Sequence, residues 1–250
     1  MSLLDETAPA PRKIMTLFYL VDSSGSMEGA KIGSVNSAME EAVVKDLRNL
    51  SGSNDDAEIR VAIMRFSSGC EWITSSAGPV SINDLRWREV KAGGLTDLGA
   101  ACMELDSKLS RDGFLKSQSG AYAPVILLFS DGGPTDNWEK GLKRLRSNNW
   151  FRHAVKIAVA IGEEADKDVL AAFTGTSEAV IEVCDKETLA ALIRKVSLRA
   201  SEFQSHSKQA GDKETTPEED SASIVRDVRE EMAASQAEAA SDDPDDWENW

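Results

Sequence analysis

The run Ile14-Met15-Thr16-Leu17-Phe18-Tyr19-Leu20-Val21, followed at once by Asp22-Ser23-Ser24-Gly25-Ser26, decides how this chain is read. A nearly unbroken apolar run bounded by Asp, Ser and Gly predicts a strand buried on both faces and ending in a turn. At that strand end five residues offer one carboxylate and three hydroxyls. All are oxygen donors, which suit a hard cation such as Mg²⁺ better than zinc. The same pentapeptide also reads as an Asx or Ser turn capping the next helix. On these residues alone the two readings stand equal.

Working outward, Ala30 to Leu50 has helical spacing, with Ile32, Val35, Met39, Val43 and Leu47 on one face. A polar loop, Ser51 to Asp56, precedes the alternating strand Glu58–Phe66, and Cys70–Ile73 reads as a short antiparallel edge strand. Helices are predicted over Leu98–Leu109, Asp136–Arg146, Val169–Phe173 and Lys186–Leu198, and strands over Pro124–Phe129, Ala154–Ile161 and Ala179–Val183. Strands alternating with helices, some of the strands near-continuously apolar, predict an α/β fold. The sheet is doubly wound and mainly parallel, with one short antiparallel edge strand and helices on both faces. Ligands of such sheets sit beyond the carboxyl ends of the strands, where strand order reverses.

Two further segments bear on the first. In Gly93-Gly94-Leu95-Thr96-Asp97-Leu98-Gly99 the glycines allow a tight turn, and Thr96 presents a hydroxyl just before a helix. Alone, Thr96 reads more simply as that helix's N-cap. Ser130-Asp131-Gly132-Gly133-Pro134-Thr135-Asp136 ends the most apolar strand, so Asp131 occupies the place on its strand that Asp22 occupies on the first. Two acids at equivalent ends of buried parallel strands are costly to leave unpaired, and a shared cation resolves that cost. Asp136 and Glu139 read as a capping box for the following helix.

Asp22-x-Ser24-x-Ser26, then Thr96 after a Gly-Gly turn, then Ser130-Asp131-Gly132, resembles the metal-ion-dependent adhesion site of von Willebrand factor type A domains. The resemblance spans about Ile14 to Val196. It implies a Rossmann-like fold and a Mg²⁺ ion, with Mn²⁺ or Ca²⁺ as alternatives. Ser24, Ser26 and Thr96 would then bind through hydroxyls, Thr96 directly or through water, and Asp22 and Asp131 would hold coordinated waters. It further implies a partner protein that supplies an Asp or Glu to the metal. The segments Leu20 to Met27 and Leu128 to Asp136 are also similar to bacterial TerY-type proteins associated with tellurite resistance. That similarity implies a stress-response setting, with a Ser/Thr kinase and a PP2C-like phosphatase as associates.

Composition narrows the remaining classes. The 250 residues carry a net charge of −15, unevenly placed: 15 acidic and 4 basic residues from Ser201 onward give −11 there and leave −4 for the rest. Nucleic-acid binding through a basic face is not expected. Three well-separated cysteines (Cys70, Cys102, Cys184) predict reduced thiols, and no run is long enough to span a bilayer. With no signal peptide in view, a cytoplasmic protein is expected. The expected organisation is a loose lead over 1–12, one domain over 13–200 and an acidic, disordered tail over 201–250 with a short helix near Ile224–Met232.

An enzyme reading casts Asp22 as the nucleophile of a metal-dependent phosphohydrolase, but position 24 is Ser where Asp-x-Asp enzymes need their general acid. His153 and His206 complete no triad with these serines. A scaffold with an incidental metal site is a third reading. In the tail, the acids offer an intramolecular metal ligand with Trp247 and Trp250 packing beside it. Thr215 and Thr216, beside acids, fit phosphoacceptors, although a solvated tail is the simpler expectation.

Overall fold

β1 (Lys13–Asp22) lies at the centre of a seven-stranded sheet, flanked in parallel by β2 (Ala57–Ser67) and β5 (Val125–Ser130). The computed structural model describes residues 12–48, 57–183, 186–205 and 215–241. Every β1 residue after Lys13 is buried, because helices cover both faces of the sheet. Strand order is β3-β2-β1-β5-β6-β7, where β6 is Val155–Ile161 and β7 is Val180–Val183. β3 (Gly69–Trp72) is the expected antiparallel edge strand, and β4 (Val80–Ser81), a two-residue strand, also pairs antiparallel with β2.

Alternate residues of β1 serve two separate cores. Met15, Leu17, Tyr19 and Val21 face α1 (Ala30–Ala38) and α6 (Lys186–Ser205). Phe18 and Leu20 face the layer formed by α2 (Leu98–Lys108), α3 (Trp138–Arg146), α4 (Asn149–His153) and α5 (Lys167–Thr174). Each such side chain contributes about 1.5–3 kcal/mol on leaving water. α1 continues into a wider coil over Met39–Asp46, closed by an i→i+5 bond from Leu47 N–H to Ala42 O. Tyr19 Oη and Ser197 Oγ, 2.8 Å apart, tie the sheet to α6, and burial pushes the phenol pKa upward.

α2 and α3 cross with almost no space between them. A Cβ on Gly141 would lie 2.3 Å from Gly99 O, so glycine is what permits this approach. The crossing has a consequence for capping: the Asp136 carboxylate accepts from the N–H groups of Gly99 and Ala100, each at 3.0 Å. Asp136 therefore caps α2, and the capping box expected with Glu139 does not form. α3 is capped by Asn137, whose side chain accepts from Lys140 N–H.

The largest difference from the sequence reading lies beyond residue 200, where a disordered tail was expected. α6 runs on to Ser205, and Pro217–Ser241 is α7, a 25-residue helix packed on α6, β6 and the turn at Ser177–Ala179. Ile224, Val225 and Val228 of α7 are buried in the same core as Tyr19. Arg229 donates to Val180 O at 2.7 Å, and Lys195 pairs with Glu231 at 3.1 Å. The start of α7 is a reciprocal capping box: Glu219 N–H donates to Thr216 Oγ1, and Thr216 N–H donates to the Glu219 carboxylate. The lead over 1–11, Cys184, His206, Trp247 and Trp250 lie outside the described residues.

Candidate metal centre

The β1–β5 pairing places Val21 opposite Phe129, so Asp22 and Ser130 emerge side by side at the carboxyl edge of the sheet. Strand order reverses here, with β2 on one side of β1 and β5 on the other. Asp22 is fully buried. Its Oδ1 accepts from Ser24 N–H at 2.8 Å and its Oδ2 accepts from Ser130 Oγ at 2.5 Å. The first of these bonds is the expected Asx turn. Burial raises the Asp22 pKa, the bonds from Ser130 and Ser24 oppose that rise, and the nearby Asp131 charge adds to it.

The serine hydroxyls are not spent on capping. Ser24 precedes the single 3₁₀ turn Gly25–Met27, yet its side chain makes no cap hydrogen bond. Instead Ser24 Oγ and Ser26 Oγ face each other at 3.0 Å.

The loop carrying Thr96 is pinned from three directions. Gly93 N–H donates to Ser23 O and Gly25 N–H donates to Gly94 O, at 2.8 and 3.0 Å, joining it to the β1 turn. Leu95 N–H donates to Ser68 Oγ at 2.9 Å, from the β2–β3 hairpin. Thr96 N–H donates to Thr135 Oγ1 and Thr96 O accepts from Thr135 N–H, joining it to the loop after β5. The α2 N-cap position falls on Asp97, and Asp136 supplies the capping bonds, so Thr96 is not the cap. Its hydroxyl is left for other use.

Asp131 completes the group. Its backbone carbonyl accepts from Asp166 N–H at 2.8 Å, and its Oδ2 pairs with Lys31 Nζ at 3.0 Å. Its Oδ1 is buried and has no hydrogen-bond partner. A buried carboxylate oxygen without a donor is costly, and a cation is one group that would satisfy it. The site thus offers three hydroxyls and two carboxylates. Among the described residues no three His, Cys, Asp or Glu side chains gather to hold a metal.

Residues 17–195 match the family model of the von Willebrand factor type A domain. The chain belongs to that family. Its members are mostly non-enzymatic protein-interaction modules, often with a metal site. Among solved structures, this vWA domain is similar to a von Willebrand factor type A protein from Catenulispora acidiphila, at 15% identity and TM-score 0.54, over 76% of this chain and 43% of that one. It is also similar to the ArnB paralog VWA2 of Sulfolobus acidocaldarius, at 18% identity and TM-score 0.52, over 74% and 45%. A third is proximal thread matrix protein 1 of the mussel byssus, described with a zinc-occupied MIDAS motif, at 16% identity and TM-score 0.51, over 75% and 48%. The vWA chain spans less than half the length of these relatives, and the likeness is one of fold. No curated protein matches it.

Sequence reading missed Ser130 as a partner of Asp22 and Lys31 as a partner of Asp131. The signal for Ser130 was a hydroxyl at the end of a wholly apolar strand. Nothing in the sequence marks Lys31. His153 ends α4, exposed and away from the serines. Cys102 is buried and Cys70 half-buried, and burial pushes both thiols up to about 12, so neither is a ready nucleophile. Of the basic residues on α3, Arg144 pairs with Asp106 of α2 at 2.8 Å. Thr216 is occupied as the α7 cap, and the Thr215 hydroxyl donates to Asp220. No helix among the described residues is long and apolar enough to cross a membrane.

Proposed function

We propose that this vWA domain recognises a partner protein through a divalent cation held by Ser24, Ser26, Thr96, Asp22 and Asp131, with an Asp or Glu of the partner completing the coordination. The observation that supports this reading is a buried Asp131 oxygen with no donor at the β1–β5 switch point, on a loop that hydrogen bonds join through the Thr96 loop to the Asp22–Ser26 turn. Mg²⁺ fits the all-oxygen donor set, and Mn²⁺ or Ca²⁺ share its preference. Neutral hydroxyls contribute little negative charge, so a bound cation keeps its affinity for an outside carboxylate.

The residues of the chain divide the task. Ser130 and the Ser24 N–H fix both oxygens of Asp22, which orients it and leaves it poorly placed to attack a substrate. That arrangement, with Ser at position 24, argues against a phosphohydrolase using Asp22. The similarity of the segments around Asp22 and Asp131 to TerY-type proteins supports a bacterial, cytoplasmic stress-response role of the tellurite-resistance kind, beside a Ser/Thr kinase and a PP2C-like phosphatase.

The test is a pull-down with Mg²⁺ or EDTA, comparing wild type with the Ser24→Ala/Ser26→Ala double variant. Capture lost in both EDTA and the double variant supports the reading. Capture that survives both means the metal site is incidental to a scaffold.

A further inference from the structure

We propose that Lys31 is a tethered cation that balances Asp131 in the metal-free protein and thereby weakens binding of the divalent ion. The inference rests on the metal reading above and concerns how tightly the site takes its ion.

Lys31 is the second residue of α1, five positions after Ser26, so the turn that delivers the serine hydroxyls also delivers an ammonium group. Its Nζ lies 3.0 Å from Asp131 Oδ2, bridging α1 and the loop after β5. The pair is unequal. Asp131 is only 6% exposed, whereas the Lys31 side chain is 30% exposed and can retreat toward water. Only one Asp131 oxygen is satisfied by it, since Oδ1 remains without a partner. One ammonium therefore compensates only part of the charge that Asp22 and Asp131 place at this edge.

A second observation places the lysine stem against the end of β6. Gly162, just after β6, has φ +88°, and a Cβ there would lie 3.0 Å from Lys31 Cε and 3.6 Å from Nζ. Gly162 N–H is fixed to Val183 O at 3.0 Å, so this floor is set by the sheet. The lysine stem thus passes close over the Gly162 turn, where the positive φ already favours glycine.

Two cations near one carboxylate repel each other, and the effect is reciprocal: whatever Lys31 costs the ion, the ion costs the Lys31–Asp131 pair. Methionine in place of Lys31 keeps the unbranched stem along Gly162 and removes the charge.

The test is calorimetric titration of the full chain with MgCl₂, together with melting temperatures with and without Mg²⁺, for wild type, Lys31→Met and Lys31→Gln. Both variants are expected to bind Mg²⁺ about tenfold more tightly, within the usual range of coupled sites. They should also melt lower than wild type without metal and show a larger rise on adding it. A wild type that binds Mg²⁺ alongside folded variants of equal or weaker affinity overturns the role of Lys31 and leaves the metal site standing. If neither wild type nor the variants respond to Mg²⁺, Mn²⁺ or Ca²⁺, the metal reading falls and Lys31 with it. Should Lys31→Met not fold, Lys31→Gln carries the comparison; failure of both to fold overturns the proposal, because the charge would then be a structural requirement and not a counterweight to the ion.

Discussion

Ser130 donates its hydroxyl hydrogen to Asp22 Oδ2 at 2.5 Å, locking the ends of β1 and β5 together where strand order reverses. Ser130 Oγ itself accepts from Gly132 N–H at 2.8 Å, so one hydroxyl orients Asp22 and also shapes the turn that presents Asp131. Ser130→Ala would leave an oxygen of a buried carboxylate unsatisfied, at a cost of about 1–3 kcal/mol. The urea midpoint should fall with an unchanged slope. A midpoint equal to wild type would show that Asp22 does not depend on this bond.

Asp136 acts at a distance in sequence, since its carboxylate holds the first N–H groups of α2 and so frees Thr96 from capping. Asp136→Ala should cost about 0.5–2 kcal/mol, as loss of a helix cap does. Amide exchange at Gly99 and Ala100 should quicken, with α5 unaffected. Asp136→Asn keeps one acceptor oxygen and should lose less. If exchange at Gly99 and Ala100 is unchanged in Asp136→Ala, the cap contributes nothing.

The parts of this molecule differ in how openly the sequence declares them. β1, β5 and β6 are buried on both faces, so nearly unbroken apolar runs mark them whatever their neighbours do. Asp22, Ser24, Ser26, Thr96 and Asp131 are recognisable because each follows a strand or a glycine turn. What positions them is not local: the Thr96 loop is held by Ser68, 27 residues from its partner Leu95, and by Thr135, 39 residues from Thr96. The Asp136 cap is hidden for the same reason, because a capping box with Glu139 looked locally sufficient. Composition marks only a short helix near Ile224–Met232 where α7 runs from Pro217 to Ser241. Its docking uses only a few apolar residues, Ile224, Val225 and Val228, within an acidic and alanine-rich stretch. A local signal was present all the same: Thr216-Pro217-x-Glu219 is a capping box with proline at the first helical position.

Leu95, next to Thr96, is 58% exposed and is one of two large hydrophobic residues left open to solvent among those described. In the docking mode proposed above, this apolar side chain would pack against residues flanking the partner's carboxylate. Leu95→Ser should weaken partner binding about tenfold, equivalent to ~1.4 kcal/mol. The rise in melting temperature on adding Mg²⁺ should stay as in wild type. Equal partner affinity in the variant would place the partner elsewhere on the rim.

Lys156 gives α7 a dependence on pH. It is 2% exposed, its Nζ donates to Ala154 O at 3.1 Å and Phe151 O at 3.3 Å, and Glu218 of α7 lies 3.4 Å away. Its own N–H donates to Ser221 Oγ, so the same strand position holds α7 twice. Burial lowers the Lys156 pKa from 10.5, and the Glu218 charge only partly restores it. Between that lowered native value and 10.5 the unfolded chain binds more protons than the folded one, so stability contributed by this group rises with pH across the window. The urea midpoint of wild type should therefore gain on that of Lys156→Met as pH is raised from 7 toward 10. At neutral pH Lys156→Met should be no less stable, because methionine replaces a buried charge with an apolar chain of similar length. Glu218→Gln should do the opposite, leaving the ammonium without its counter-charge and quickening amide exchange over the first turns of α7. Parallel midpoint curves for wild type and Lys156→Met would mean that Lys156 keeps an ordinary pKa in the folded chain, with the Glu218 charge offsetting its burial in full.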